Sequence, residues 1–86
     1  MKRDKKLLRA ILERIEEIEP YGKLEIKLDH WTKDEIWYHL KLLGDEGFVK
    51  LPTSVPPYYA DNTAFRIVIP GLTMAGHDYL DELRST

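Results

Sequence analysis

The sequence predicts one small α+β domain, with the element order α-β-α-β-β-α and a single three-stranded antiparallel sheet. Apolar residues recur at helical spacing in three segments, near the start, the middle and the end of the chain. Residues 23–28 alternate strictly between polar and apolar side chains, and residues 48–51 and 64–69 also have the character of strands. Since no repeat or linker divides the 86 residues, we expect a single domain over residues 1–86.

The first helix is predicted from an apolar stripe that extends from Leu7 to Ile18. Asp4 is the expected N-cap, and Pro20 stops the helix. Bases crowd the first turn and acids the last turn, which is the opposite of what the helix dipole favours. This charge order is explained either by a solvated helix surface or by a contact site. The second explanation is considered because local rules tend to be broken at functional sites.

The second helix has a well-defined start. Thr32 and Glu35 have the spacing of a capping box, in which each side chain bonds to the other residue's backbone N–H. Trp31 and Ile36 have the spacing of a hydrophobic staple. We expect this helix to end near residues 44–47, which contain two glycines.

The second and third strands are expected to pair with each other as a hairpin. Residues 52–62 join them and contain three prolines and two adjacent tyrosines, while residues 70–71 close the hairpin. Leu72 and Thr73 then lead into the last helix. A helix that ends in glycine and is followed by a hairpin with a long tip is typical of a winged helix, so the predicted fold is a small winged-helix domain.

One contiguous core is expected from the apolar side of each segment. Its predicted members are Leu12, Ile15, Ile26, Ile36, Leu40, Leu43, Phe48, Ile67, Leu72 and Leu80.

The composition restricts where the chain works. It contains no cysteine, so disulfides and thiolate metal sites are excluded. We find no apolar stretch of the length of a signal peptide or a membrane span, and we therefore expect a cytoplasmic protein that does not enter a membrane.

Charge is distributed unevenly. Residues 1–14 contain six bases and two acids, a net charge of +4, whereas the remaining seven bases stand against thirteen acids, a net charge of −6. The overall charge of −2 argues against a dedicated DNA-binding domain, but the basic end is suited to phosphate contacts.

Three blocks of the sequence carry a family resemblance. They are Met-Lys-Arg-Asp at residues 1–4, Tyr-His-Leu-Lys-Leu-Leu at 38–43 with Gly-Phe-Val at 47–49, and Leu-Thr-Met-Ala-Gly-His-Asp-Tyr-Leu-Asp at 72–81. Together they resemble the bacterial and prophage family named domain of unknown function 2513, across nearly the whole chain. Met74 departs from the family's pattern, in which a tryptophan is expected.

The last two blocks also resemble winged-helix transcription regulators, through a His-Leu-x-x-Leu helix before the hairpin and a Leu-Thr-x-x-Gly start of the last helix. The resemblance implies a winged-helix fold and a bacterial or phage origin. It brings no catalytic residues, and fold alone does not fix function.

Catalysis is not expected. His30, His39 and His77 are far apart and lack the spacing of metal ligands, and we interpret His39 as a partly buried structural residue. The chain contains neither a phosphate-binding glycine loop nor a Gly-x-Ser-x-Gly motif. We therefore predict that the protein is not an enzyme and that it holds no metal or cofactor.

DNA binding is the first functional hypothesis, with the second helix in the major groove. The candidate contact residues are Lys2, Arg3, Lys5, Lys6, Lys33, Lys41, Lys50 and Arg66. Two features weigh against groove entry. Asp34 and Glu35 occupy the end of the helix that approaches base edges, and the usual first helix of a helix-turn-helix pair is missing.

Protein association is the alternative hypothesis, in which the chain is an adaptor that does not bind DNA. Its candidate anchors are Trp37, Tyr58 and Tyr59, since exposed aromatic residues dominate interfaces. Burial in the core is, however, the more frequent fate of a tryptophan in so small a domain. The short last helix would allow a weak homodimer at best.

Overall fold

The computed structural model describes residues 1–51 and 59–85, of which residues 59 and 60 are described by their backbone only. These residues form three helices and five strands: α1 (Lys5–Glu17), β1 (Gly22–Lys27), α2 (Lys33–Asp45), β2 (Val49–Lys50), β3 (Tyr59–Ala60), β4 (Ala64–Ile69), β5 (Gly71–Leu72) and α3 (Met74–Arg84). Within the described ranges, no helix is both long and apolar enough to cross a membrane. The predicted α+β class is confirmed.

Both predicted helix starts are confirmed. The carboxylate of Asp4 accepts a hydrogen bond of 2.9 Å from the backbone N–H of Lys6, which caps α1. At α2 the capping box is complete, because Thr32 accepts from the N–H of Glu35 and Glu35 accepts from the N–H of Thr32. α1 ends at Glu17, three residues before Pro20.

The sheets differ from the predicted pairing. β1 pairs with β4 in antiparallel register from Gly22↔Ile69 to Lys27↔Ala64, and the two-residue β3 pairs with the other edge of β4. β2 pairs only with β5, through Val49↔Leu72 and Lys50↔Gly71, in a separate two-stranded sheet. The expectation of one three-stranded sheet in which residues 48–51 form a hairpin with residues 64–69 is therefore wrong.

The start of α3 explains the different partner of β2. The hydroxyl of Thr73 donates to the carbonyl of Gly47, and the backbone N–H of Thr73 donates to the carbonyl of Phe48 at 3.1 Å. These bonds hold residues 47–48 against the entry of α3, so that β2 lies beside β5 rather than beside β4. Long-range contacts decide between strand partners that local patterns leave equal.

The core lies between the three helices and the inner face of the sheet. Eight of the ten predicted core residues are buried, while Phe48 and Leu72 are half-buried and pack against the others. The inner face of the β1–β4 pair adds three side chains that were not predicted: Leu24, Phe65 and Ile69. Most of the hydrophobic stabilisation of so small a domain has to come from this one cluster.

Close packing of α3 depends on the Leu-Thr-x-x-Gly motif. Thr73 is the N-cap of α3 and accepts a hydrogen bond of 3.0 Å from the N–H of Gly76. A Cβ at Gly76 would lie 1.9 Å from the carbonyl oxygen of Phe48, so only glycine allows this approach. One turn later Tyr79 stacks on Phe48, with ring centroids 4.6 Å apart and an interplanar angle of 16°.

Candidate nucleic-acid interface

The strongest concentration of positive charge lies in residues 2–6, which we call the basic segment. Lys2, Arg3, Lys5 and Lys6 are all exposed. None of the four forms an ion pair with any residue in the ranges 1–51 and 59–85. The first turn of α1 also contains no acid, so the charge of the segment is not neutralised along the helix.

Asp4 is the single acid of the basic segment, and both its carboxylate and its backbone are engaged inside the fold. Besides capping α1, its carboxylate accepts a hydrogen bond of 3.2 Å from the indole N–H of Trp31. The indole bond is the main cause that lowers the pKa of Asp4, and the helix N–H groups of Lys6 and Leu7 add to it. The backbone N–H of Asp4 donates to His39 Nε2 at 2.8 Å.

The acceptor of this hydrogen bond, His39, lies on α2. It is 1 % exposed, and its Nδ1 lies 2.7 Å from the backbone carbonyl of Glu35. Because a carbonyl can only accept, Nδ1 carries the hydrogen and Nε2 is free to accept from Asp4. The interpretation of His39 as a structural residue is confirmed, and its burial is complete rather than partial.

Sequence reasoning could not find this connection, since His39 is 35 residues from Asp4 and Trp31 is 27 residues from it. These hydrogen bonds fix the position of the site in the fold. Two side chains from the second helix region hold the start of α1, so the cations on either side of Asp4 project from a fixed point of the fold.

α2 itself offers a mixed surface. Lys33 and Lys41 are exposed, but so are Asp34 and Asp45 on the same helix and Glu46 at its C-cap. No helix precedes α2 within residues 28–32, which are all described, so the missing partner of a helix-turn-helix pair is confirmed. α2 therefore presents more acids than bases where a recognition helix would meet phosphates.

Arg66 is occupied within the fold. Its guanidinium lies 2.7 Å from a carboxylate oxygen of Glu25, its cross-strand neighbour, and 2.9 Å from one of Asp61. These carboxylates raise the pKa of Arg66, Asp61 contributing most. Arg66 in turn holds the pKa of Asp61 well below its usual range, with help from Thr63. The positive charge of Arg66 is therefore already matched by the carboxylates of Glu25 and Asp61.

Lys50 is exposed on β2, away from the basic segment. It lines a groove together with Ile15 and Ile18, at the end of α1 that is opposite to Lys6. Since an α-helix rises 1.5 Å per residue, this groove lies about 15 Å along α1 from the basic segment. The structure thus brings four of the eight candidate cations together and places Lys50 elsewhere.

The candidate protein anchors have different positions. Trp37 is half-buried and packs against the core. Tyr58 lies outside the described residues, and of Tyr59 the backbone is described, paired with Arg66 on β4. Among the described residues, the most exposed large apolar side chains include two that sequence reasoning did not select, Tyr21 at 73 % and Met74 at 81 %.

Comparison with known proteins identifies a family. A family model described as "Hypothetical protein (DUF2513)" matches residues 2–86. A search of curated proteins and a search of solved structures found no match to the chain. Within the described ranges, no three His, Asp or Glu side chains are grouped in a way that could hold a metal ion.

Proposed function

The chain belongs to the DUF2513 family, and we propose that it is a winged-helix-type binding module that contacts nucleic-acid phosphates through its basic segment. The single observation that supports this function is the state of residues 2–6. Four exposed cations lack ion-pair partners in the described part of the chain, while Asp4 between them is turned to internal hydrogen bonds. Clustered cations that release counterions are the main source of affinity for DNA.

Anchoring makes the basic segment a better ligand for a polyanion. Charges on a loose tail lose conformational entropy on binding, whereas the bonds of Asp4 to Trp31 and His39 fix the backbone beforehand. The unfavourable placement of Lys5 and Lys6 at the positive end of the α1 dipole fits the same function, since a phosphate would relieve it.

The proposed contact is with the backbone of the nucleic acid and not with its bases. α2 presents Asp34, Asp45 and Glu46 to solvent, and carboxylates are repelled by phosphates. A module of this kind binds many sequences and is steeply sensitive to salt. A regulatory function in a bacterial or phage setting would then need a second source of specificity.

A gel-shift assay on random duplex tests the proposal. Lys5→Ala with Lys6→Ala removes half of the cations of the basic segment and is expected to weaken the shift at every salt concentration and to lower its sensitivity to salt. Lys23→Ala with Lys50→Ala is the matched control, because it removes the same charge from exposed lysines at other places. No shift for the unmodified chain at the lowest salt, or equal loss in both variants, would contradict the proposal.

A protein adaptor remains the second candidate, and one observation favours it. Asp78, Asp81 and Glu82 are exposed on α3 and form no ion pair within the described ranges, beside the exposed Met74. Such an acidic face with an apolar edge suits a basic protein partner. This candidate predicts no retention of DNA at any salt, and loss of a protein partner on Tyr58→Ala or Tyr59→Ala.

A further inference from the structure

A groove with apolar walls lies at the end of α1 that is remote from the basic segment. Its cavity has a volume of about 380 Å³, which is within the range of small-molecule sites. It lies between the end of α1, the turn that follows it and the β2–β5 pair. The apolar walls are formed by Ile15, Ile18, Pro20, Tyr21, Pro70 and Leu72. We call it the Tyr21 groove.

Tyr21 is held in an unfavourable backbone conformation at this groove. Its φ angle is 63°, in the left-handed region that residues other than glycine seldom adopt, and 73 % of its surface is exposed. The turn from Glu19 to Gly22 enforces this conformation, since the N–H of Gly22 donates to the carbonyl of Glu19 at 2.8 Å and such a turn requires a positive φ at its third residue. Tyr21 lines the groove and is largely exposed, so its ring is accessible to a ligand.

The unneutralised charge of the groove is positive. Lys50 lines it, is exposed and forms no ion pair with any described residue. Among the described residues that line the groove, the one carboxylate is that of Glu16, which lies 2.8 Å from the guanidinium of Arg84. A second acid, Glu13, lies 3.3 Å from Arg84 and 3.5 Å from Arg9, so the two acids are matched by two arginines.

We propose that the Tyr21 groove binds a small aromatic carboxylic acid. The aromatic ring of the ligand packs between Tyr21 and the aliphatic walls, and its carboxylate pairs with the ammonium of Lys50. His77 lines the same groove and offers a further ring nitrogen for a hydrogen bond. This site is separate from the basic segment, so its test does not depend on nucleic-acid binding.

Phenylacetate and its neutral analogue phenylacetamide test the assignment, by titration of the ¹⁵N-labelled chain followed by NMR. We expect saturable shifts at the amides of Lys50, Leu72 and His77, with the acid bound up to about fivefold more tightly than the amide, as for an exposed ion pair. Lys50→Met keeps the aliphatic stem and should remove that preference. Lys41→Met, on another exposed lysine, which lies on α2, should keep it.

Several results would overturn the proposal. They are the absence of saturable shifts up to about 10 mM ligand, equal affinity for acid and amide, and an unchanged preference in Lys50→Met. A peptide that ends in phenylalanine and binds about tenfold more tightly than phenylacetate would assign the groove to a partner's C-terminus instead. Lys50 and Lys41 are exposed, so neither replacement should disturb the fold. The amide spectrum of each variant checks that the fold is intact.

Discussion

The backbone N–H of Asp4 donates a hydrogen bond of 2.8 Å to Nε2 of His39, which ties the cap of α1 to the middle of α2. The same imidazole bonds through Nδ1 to the carbonyl of Glu35, so both of its nitrogens are used. One buried side chain thereby fixes the position from which the cations of the basic segment project. The stability of the fold and the proposed binding surface share this residue.

Replacement of His39 should destabilise the fold. In His39→Leu the N–H of Asp4 loses its acceptor, and a polar group left without a partner costs about 1–3 kcal/mol of unfolding free energy. Urea denaturation measures this cost, with His30→Gln as the control, since His30 is exposed. A loss in His39→Leu no larger than that in His30→Gln would show that the hydrogen bond of Asp4 does not matter to stability.

Gly76→Ala should also destabilise the fold, because its Cβ would lie 1.9 Å from the carbonyl oxygen of Phe48. The shift of α3 that this requires costs about 1–3 kcal/mol, partly offset by the roughly 1 kcal/mol by which alanine favours a helix over glycine. Gly44→Ala is the matched control. Its Cβ meets Cδ1 of Leu51, a side-chain end that can move, so thermal unfolding should show a smaller loss or a gain.

Acid should weaken the cap of α1. The pKa of Asp4 is lowered in the folded chain, mainly by the indole of Trp31. A carboxyl group with a lowered folded pKa stabilises the fold above its unfolded pKa, about 3.9, and this contribution is lost as the pH falls through the folded value. Unfolding free energies at pH 7 and below pH 3 should therefore differ between the unmodified chain and Asp4→Asn at the higher pH only. An equal difference at both would contradict the assignment.

Replacement of Leu40 should strongly destabilise the fold, because this side chain is fully buried between the helices and the sheet. Leu40→Ala removes three carbons and leaves a cavity, so its unfolding free energy should fall by about 2–5 kcal/mol. Leu28→Ala, at a half-buried position on the edge of the core, should lose clearly less. Equilibrium denaturation of both variants checks this, and a loss below about 0.5 kcal/mol at Leu40 would contradict the helix register.

Local chemistry made much of the fold predictable. The N-caps Asp4 and Thr32, the alternation of β1 and the apolar stripes each act within a few residues, so they can be recognised in one sequence. Strand pairing could not be predicted in the same way. β5 has only two residues, so it is too short to show a periodic pattern. It lies beside β2 because Gly76 packs against the carbonyl of Phe48, which is 28 residues away in sequence.

The site was predictable only in part, for the same reason. The exposure of Lys5 and Lys6 follows from their place outside the apolar stripe of α1. The capture of Arg66 by Glu25 and Asp61 depends on strand register, which local patterns do not set. Tyr21 was not predicted as a site residue, because its left-handed backbone conformation is set by the turn before β1 and is not visible in the sequence pattern.

Salt dependence of DNA affinity tests the central claim most directly. Fluorescence anisotropy of a labelled random duplex gives the slope of log Kd against log salt, and each phosphate contacted adds about 0.9 to it. If all four cations of the basic segment make contact, the slope should approach about 3.6, and Lys5→Ala with Lys6→Ala should lower it by about two without changing base preference. Lys23→Ala with Lys50→Ala should leave it unchanged. Absence of binding at low salt, or a slope that the Lys5 and Lys6 changes do not lower, would contradict the account.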